Sequence, residues 1–174
     1  ALAQTVIGPE TQVQHVVLVR CVAEFKDVML MHVEWMHPAT STKVSVDLPF
    51  PVMLTKFLCT PPPSALAAPQ FIEAWKALAA PGMELQQVFH AGSPIDVAAV
   101  RKFLAEGFRF GLIDGVDSKS TNVVAIGALA VDEHNHPVLL RLETNADAQM
   151  YRITLRTPSP AATTTLASFI MSQL

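Results

Sequence analysis

The sequence predicts an α+β protein, in which a β-rich first third precedes a mixed arrangement of strands and helices. Three observations support this class. β-Branched residues alternate with other residues through much of the first third. A run of three prolines at residues 61–63 then interrupts the chain. Beyond this run, strand-type and helix-type periodicities follow one another along the sequence.

Composition narrows the kind of protein further. Hydrophobic residues make up 51% of the 174 residues and charged residues 16%, so the chain is too apolar for a disordered segment. The formal net charge of −3 argues against a nucleic-acid-binding surface. No apolar run approaches the roughly 18 residues that a membrane-spanning helix needs, and no signal peptide is visible at the start. We therefore expect a soluble protein with a substantial core.

The first third is predicted to be all β. Strands are expected over residues 12–23, 28–35 and 43–48, and apolar residues alternate strictly in the last of these. Pro49 ends that strand or places it at a sheet edge, because proline cannot donate a hydrogen bond to a neighbouring strand. Strands at this spacing are typical of a β-sandwich, so we predict that residues 1–57 are part of one.

The proline run marks the predicted domain boundary. Consecutive prolines favour a stiff, extended backbone and resist both helix and central strand. We place the boundary just before the run, so that residues 58–174 form a separate α+β unit. In this unit, strands are expected over residues 83–89, 122–131, 138–143 and 150–157, and helices over residues 69–78 and after the capping serines of Ser93-Pro94 and Ser159-Pro160.

Two pairs of side chains are candidates for metal or redox chemistry. His134 and His136 would point the same way on a strand and could share a metal ion. However, Pro137 follows and no third ligand is evident, so a solvated hairpin turn is the competing interpretation. Cys21 and Cys59 are either free thiols or a disulfide, and their spacing excludes a zinc site made of cysteines alone. No metal site is therefore predicted.

The last two predicted strands would present charged side chains on one face. If both strands form, alternation turns to the core Leu140, Leu142, Tyr151, Ile153 and Leu155. The outer face then carries Leu139, Arg141, Glu143, Arg152, Thr154 and Arg156. Arginine offers a planar fork that matches carboxylates and stacks on aromatic rings. The outer face is therefore either a recognition surface or an ordinary solvated sheet face.

Trp75 also allows two interpretations. It lies at helical spacing with Phe71 and Leu78, which is typical of a residue facing the core. A tryptophan can equally form the wall of a ligand pocket, because its ring offers a large apolar surface. The pattern alone leaves both interpretations open.

Several segments resemble the C-terminal part of alpha-adaptin, the large subunit of the clathrin adaptor at the plasma membrane. The most specific are residues 140–143 (LRLE) and 148–157 (AQMYRITLRT). The resemblance covers most of the chain. Its further segments are residues 44–49 (VSVDLP), 71–76 (FIEAWK), 85–89 (LQQVF) and, more weakly, 12–25.

This resemblance implies an appendage domain with no catalytic activity, cofactor or metal. In the family, an immunoglobulin-like β-sandwich precedes a platform of antiparallel sheet and helices, and part of that sandwich would precede Ala1. The platform binds Asp-Pro-Phe or Asp-Pro-Trp motifs in disordered segments of endocytic accessory proteins during clathrin-mediated endocytosis. The implied location is the clathrin-coated pit, on the cytoplasmic face of the plasma membrane. Other adaptor subunits would be contacted through the remainder of the chain, with no nucleic acid and only indirect membrane contact.

The resemblance also assigns site residues. The family's ligand-binding tryptophan falls on Trp75, its arginine–glutamate pair on Arg141 and Glu143, and its further arginines on Arg152 and Arg156. These are the residues that alternation and helical spacing single out independently.

Two positions bear on how the family's sites carry over. Ile72 replaces a family aromatic residue near the tryptophan, so one pocket wall would be aliphatic. Gln12 matches a glutamine of a second, weaker peptide site on the sandwich. The alternatives to this function are an ear domain of a sister adaptor or coatomer subunit with other peptide preference, and a metal-dependent hydrolase that uses His134 and His136.

Overall fold

The computed structural model describes residues 8, 12, 14 and 16–174. In this part the chain has the predicted mixed α+β fold, with antiparallel sheets and a few helices. No helix among the described residues is long and apolar enough to cross a membrane. The strands are β1 (Met29–His37), β2 (Thr42–Phe50), β3 (Leu58–Cys59), β4 (Glu84–His90), β5 (Gly111–Leu112), β6 (Val123–Val131), β7 (His134–Asn145) and β8 (Met150–Arg156). The α-helices are α1 (Ala68–Ala77), α2 (Val97–Lys102), which continues into a π-helical turn, and α3 (Pro160–Met171), and two short 3-10 helices span Leu54–Phe57 and Pro63–Leu66.

The first third of the described chain contributes one hairpin. β1 and β2 pair antiparallel, which confirms the strands predicted at residues 28–35 and 43–48. Pro49 lies in β2, whose only neighbour among the described strands is β1, as expected for a proline in an edge strand. That residues 1–57 belong to a sandwich stays a prediction.

The strand predicted over residues 12–23 is wrong where the structure describes it. Residues 16–28 lie outside both sheets, and residues 13 and 15 lie outside the described residues. Strand propensity is realised only where a neighbouring strand and an apolar surface are available, and the apolar side chains at 16–19 remain exposed. The segment is instead anchored at Cys21, whose carbonyl oxygen accepts a hydrogen bond from the turn between β6 and β7.

A six-stranded antiparallel sheet forms the larger part of the fold. Its strand order is β3–β6–β7–β8–β4, and β5 pairs with the same edge of β6 as β3 does. The four strands predicted beyond the prolines are all confirmed. Asp132 and Glu133 form the β6–β7 turn with positive φ angles of 47° and 67°, the geometry of tight hairpins. The sheet begins at Leu58, and the domain boundary there stays a prediction.

One face of this sheet is sealed by α2 and α3. Alternate side chains of β7 and β8 are fully buried against the helices, as the period-two pattern predicts. This cluster includes Leu140, Leu142, Ile153, Leu155, Leu166 and Ile170.

The opposite face is covered only in part. α1 lies on it, and Phe71 packs there against Ile126 and Leu139 in a second, smaller cluster. Away from α1 the face is open: Val88, on the edge strand β4, is 53% exposed and lies opposite Arg152 of β8. The predicted arginines lie on this partly open face.

The two predicted serine caps have different outcomes. Ser159 caps α3, and its hydroxyl oxygen accepts a hydrogen bond from the Ala162 backbone N–H. Ser93 does not cap α2; Asp96 does, by accepting hydrogen bonds from the first turn. The reason is tertiary, because the Ile95 backbone N–H donates to the side chain of Gln149 and is held outside the helix.

Candidate functional site

Trp75 is both a core residue and the wall of an open cleft. It lies one turn after Phe71 on α1, and the two rings stack with centroids 5.4 Å apart and planes 25° apart. Phe71 is buried, whereas Trp75 is half-buried and packs at the margin of the smaller cluster. Trp75 therefore packs partly in the core and also forms a wall of the cleft, and its role in binding a ligand stays a prediction.

The cleft lies between α1 and the loop that connects β5 to β6. Its volume is about 440 Å³, within the usual range for ligand sites. Ile72 lies on its rim and is 41% exposed, so the wall beside the tryptophan is partly aliphatic. The complete lining is Phe71, Ile72, Trp75, Val116, Asp117, Ser118 and Arg141.

Arg156 supports Trp75. Its guanidinium carbon lies 4.2 Å from the centroid of the indole ring, a cation–π contact, and its Nη1 donates to the Trp75 carbonyl oxygen. Its Nε donates to Oε2 of Glu84 on β4 at 2.6 Å, and Nη2 pairs with the same oxygen. All three guanidinium nitrogens have partners and the side chain is only 14% exposed, so Arg156 is a fixed support for the indole ring of Trp75.

Glu143 joins the two remaining arginines. Its carboxylate accepts hydrogen bonds from Nε and Nη2 of Arg152, the latter at 2.5 Å, and lies 3.3 Å from Nη2 of Arg141. The hydrogen bonds from Arg152 lower the pKa of the Glu143 carboxyl, and the same contact raises the pKa of Arg152. Arg152 has the most open guanidinium of the three, with its side chain 48% exposed against 35% for Arg141.

Asp117 is a site residue that the sequence interpretation missed. Its carboxylate accepts hydrogen bonds from Nε of Arg141 at 2.9 Å, from Nδ2 of Asn122 at 3.0 Å and from the Lys119 backbone N–H at 3.2 Å. Burial raises the pKa of the Asp117 carboxyl, but the hydrogen bonds from Lys119, Arg141 and Asn122 prevail and hold it below its usual range. The segment Asp117-Ser118-Lys119 is typical of an Asx turn, and that is the one signal that could have drawn attention to it.

The other predicted side chains lie elsewhere. Gln12 is exposed and is not part of the cleft. His134 and His136 lie beside the β6–β7 turn with ring centroids 6.4 Å apart, and the described residues contain no group of three ligands placed to hold a metal ion. Cys21 and Cys59 are free thiols, which settles the alternative between thiols and disulfide.

The structure thus brings together every residue predicted for the platform site. Trp75, Ile72 and Arg141 line the cleft, and Arg152 adjoins it through Glu143. Each of the three arginines contacts at least one carboxylate from Glu84, Asp117 or Glu143. Such a site offers an aromatic and aliphatic wall opposite polar and charged side chains, with Arg152 as the guanidinium most open to solvent.

Comparison with known protein families and with individual proteins points to the same family, that of alpha-adaptin. A family model described as "Alpha adaptin AP2, C-terminal domain" matches residues 57–174. The chain is 28% identical over 171 residues to AP-2 complex subunit alpha-2 of Dictyostelium discoideum, covering 97% of this chain and 17% of that protein. It is 29% identical over 170 residues to AP-2 complex subunit alpha-1 of Arabidopsis thaliana, covering 97% and 16%. With AP-2 complex subunit alpha of Schizosaccharomyces pombe it shares 28% identity over 159 residues, covering 90% and 17%. The chain thus spans about one sixth of the length of these relatives.

Proposed function

This chain belongs to the family of alpha-adaptin C-terminal appendage domains, and on that premise we propose that its Trp75 cleft binds short acidic-aromatic peptide motifs. The motifs are of the Asp-Pro-Phe or Asp-Pro-Trp type, in disordered segments of endocytic accessory proteins. The family match favours this function over that of a sister adaptor or coatomer ear. The proposed setting is a clathrin-coated pit on the cytoplasmic face of the plasma membrane, within an adaptor complex, and the proposed role is binding without catalysis.

The observation that carries the proposal is the half-buried indole in a cleft of about 440 Å³. A phenylalanine or tryptophan that enters such a cleft removes roughly 150–250 Å² from water. At about 25 cal/mol per Å², this is about 4–6 kcal/mol before any ordering cost. Stacking on Phe71 and the cation–π contact with Arg156 keep the indole of Trp75 in place, so little of this free energy is lost in rearranging the wall of the cleft.

The acidic residue of the motif adds orientation and a smaller gain. Arg152 is half exposed, and a carboxylate that pairs with it gains about 1 kcal/mol. Ordering a disordered peptide costs several kcal/mol, so affinities on the order of tens of micromolar or weaker are expected. Weak single motifs suit a coat that must disassemble, because tandem motifs raise the effective concentration and bind by avidity.

Ile72 and Arg156 have distinct roles in this proposal. Ile72 replaces an aromatic wall with a branched aliphatic one, so the shape of the hollow, and with it the preferred aromatic residue, differs from the family pattern. Arg156 acts through Trp75 rather than on the peptide, since its nitrogens are already bonded.

The test compares the two tryptophans of the chain. Calorimetric titration with a synthetic Asp-Pro-Phe peptide is expected to show at least about tenfold weaker binding for Trp75→Ala. Trp35→Ala is the matched control, because Trp35 lies on the β1–β2 hairpin, away from the cleft, and is 45% exposed. Circular dichroism establishes that both variants are folded. Equal affinity of the folded Trp75→Ala variant and the unaltered chain would refute the proposal.

A further inference from the structure

We propose that Asp117 is a positioning residue of the peptide site. It fixes Arg141 as a charge-compensated wall of the Trp75 cleft, and this leaves Arg152 to receive the carboxylate of the ligand. The inference rests on the proposed function and assigns a role to a residue that lines the cleft.

Asp117 is held in place by its own loop. Its side chain is only 11% exposed, although it lies in a surface loop. The backbone N–H of Lys119 and the amide of Asn122 hold the carboxylate from within the loop. Asn122 is buried and its Oδ1 accepts a hydrogen bond from the Thr144 backbone N–H, so the loop is tied to the strand that carries Arg141 and Glu143. The carboxylate is therefore a fixed point.

Asp117 in turn fixes Arg141. Nε of Arg141 donates a hydrogen bond to Oδ2 of Asp117 at 2.9 Å, and Nη2 forms an ion pair with the same oxygen at 2.8 Å and lies 3.3 Å from Oε1 of Glu143. Two carboxylates face one guanidinium, so its charge is fully compensated before any ligand arrives. A planar group held through two nitrogens also has little freedom to turn. Arg141 is thus a rigid wall.

Arg152 is paired less completely than Arg141. Its guanidinium pairs with a single carboxylate, that of Glu143, which it shares with Arg141. Within residues 16–174, Nη1 has no hydrogen-bond partner in either arginine, but the side chain of Arg152 is 48% exposed against 35% for Arg141. Arg152 is therefore the guanidinium more open to an incoming aspartate.

These contacts predict a specific effect of Asp117→Asn on peptide binding. Asparagine preserves the size of the side chain and an acceptor oxygen for the loop, but removes the charge that compensates Arg141. The guanidinium of Arg141 is then held less firmly, and the cleft carries more positive charge because one carboxylate is lost. Binding of a neutral peptide should weaken, whereas the preference for an acidic peptide over its neutral counterpart should rise by about fivefold, the scale of one partly exposed charge pair.

The experiment measures a ratio of affinities. Calorimetry with an Asp-Pro-Phe peptide and an otherwise identical Asn-Pro-Phe peptide gives the ratio for the unaltered chain, for Asp117→Asn and for Asp114→Asn. Asp114 is the control: it lies three residues earlier in the same loop, is 82% exposed, and pairs with Arg101 rather than Arg141. A purely structural role of Asp117 would weaken both peptides equally, so an unchanged ratio in Asp117→Asn would overturn the inference.

Two further variants keep the inference testable if Asp117→Asn does not fold. Arg141→Gln should keep the preference for the acidic peptide, whereas Arg152→Gln should abolish it. Where Asp117→Asn does fold, adding it to Arg141→Gln should no longer change the ratio, because its effect acts through Arg141. Loss of the preference in Arg141→Gln, with retention in Arg152→Gln, would contradict the inference. If the unaltered chain binds neither peptide, the proposed function itself fails, an outcome distinct from binding with unchanged ratios.

Discussion

The hairpins β1–β2 and β6–β7 are both long and antiparallel, and they differ in what surrounds them. Both faces of β6–β7 are packed, one by α2 and α3 and the other in part by α1, and β8 and β3 extend the sheet on either side. In β1–β2, no described element covers the apolar face, on which the side chains of Met31, Trp35, Val46 and Leu48 are about two fifths exposed.

The contrast shows that burial is a property of the assembly of elements and not of a strand. In β1–β2, apolar side chains alternate with a polar set that includes His32, Glu34 and Asp47. This alternation is typical of a sheet with one buried and one solvated face. In β1–β2 the polar face is solvated as expected, but no described element buries the apolar face. In β6, nearly every residue is buried, because packing on both faces removes the need for polar alternation. A composition-based hydrophobic count therefore overstates the core of the first third.

The largest expected effect tests this difference with one substitution in each hairpin. Leu140→Ala on β7 removes a side chain that is 0% exposed, and should lower the free energy of unfolding by about 2–5 kcal/mol. Leu48→Ala on β2 removes one that is 41% exposed, and should cost less than about 1 kcal/mol. Urea denaturation at pH 7 measures both. Similar losses in the two variants would contradict the burial that the structure assigns to the hairpins.

Local pattern predicts the elements well where the partner is close in sequence. β7 and β8 form one hairpin, so their alternation and the turn residues between them are sufficient to predict both strands and their faces. The strand expected at residues 12–23 fails because its apolar residues need a neighbouring strand that the described chain does not provide there. The cap expected at Ser93 fails because a distant side chain, Gln149, holds the backbone at Ile95.

The residues of the candidate site likewise divide into those that a local pattern predicts and those whose partners are distant in the sequence. Period-two alternation places Arg141, Arg152 and Arg156 on one face, and the family resemblance adds Trp75. Asp117 and Glu84 are missed, because their partners are 24 and 72 residues away in the chain. Their pairing depends on how loop and sheet edge fold over the same face, and no local pattern encodes that. The sequence thus predicts the arginines of the site and Glu143, but not Asp117 and Glu84, the carboxylates that pair with Arg141 and Arg156 from other parts of the chain.

A smaller effect concerns two carboxylates on the β6–β7 hairpin that differ in exposure. Glu143→Gln breaks a pair with Arg152 in which the glutamate is 17% exposed, and should cost about 1 kcal/mol at pH 7. Glu133→Gln is the matched control: it breaks a pair with Arg20 in which both side chains are more than half exposed, and should change stability little. An equal cost in the two variants would show that exposure does not set the strength of these pairs.

Two carboxylates of the candidate site, Glu143 and Asp117, predict how stability depends on pH. The pKa values of Glu143 and Asp117 are lowered in the folded chain, the first by the hydrogen bonds from Arg152 and the second by hydrogen bonds that outweigh burial. Their contribution is present above the unfolded pKa values, about 4, and is lost as pH falls through the folded values. Stability should therefore fall below about pH 4, and less steeply in Glu143→Gln. Urea titrations at several pH values measure the slope; parallel curves would contradict the prediction.

The smallest effect lies on the polar face of β1–β2 and has the opposite sign. His32 Nδ1 lies 2.6 Å from Asp47 and Nε2 lies 3.2 Å from Glu34, and these hydrogen bonds raise the pKa of His32. Its contribution is present below the unfolded pKa, about 6.5, and is lost as pH rises through the folded value.

An NMR titration of the His32 ring should therefore give a midpoint above about 6.5, and Asp47→Asn should lower it. Asp27→Asn, which removes a carboxylate that lies before β1 and forms no hydrogen bond with His32, is the control and should leave the midpoint in place. Because the groups are more than half exposed, the unfolding free energy should scarcely change in either variant. A His32 midpoint that does not respond to Asp47→Asn would mean that the open hairpin does not hold this pair in solution. The two hairpins would then no longer be distinguished by the opposite pKa shifts of His32 and Glu143.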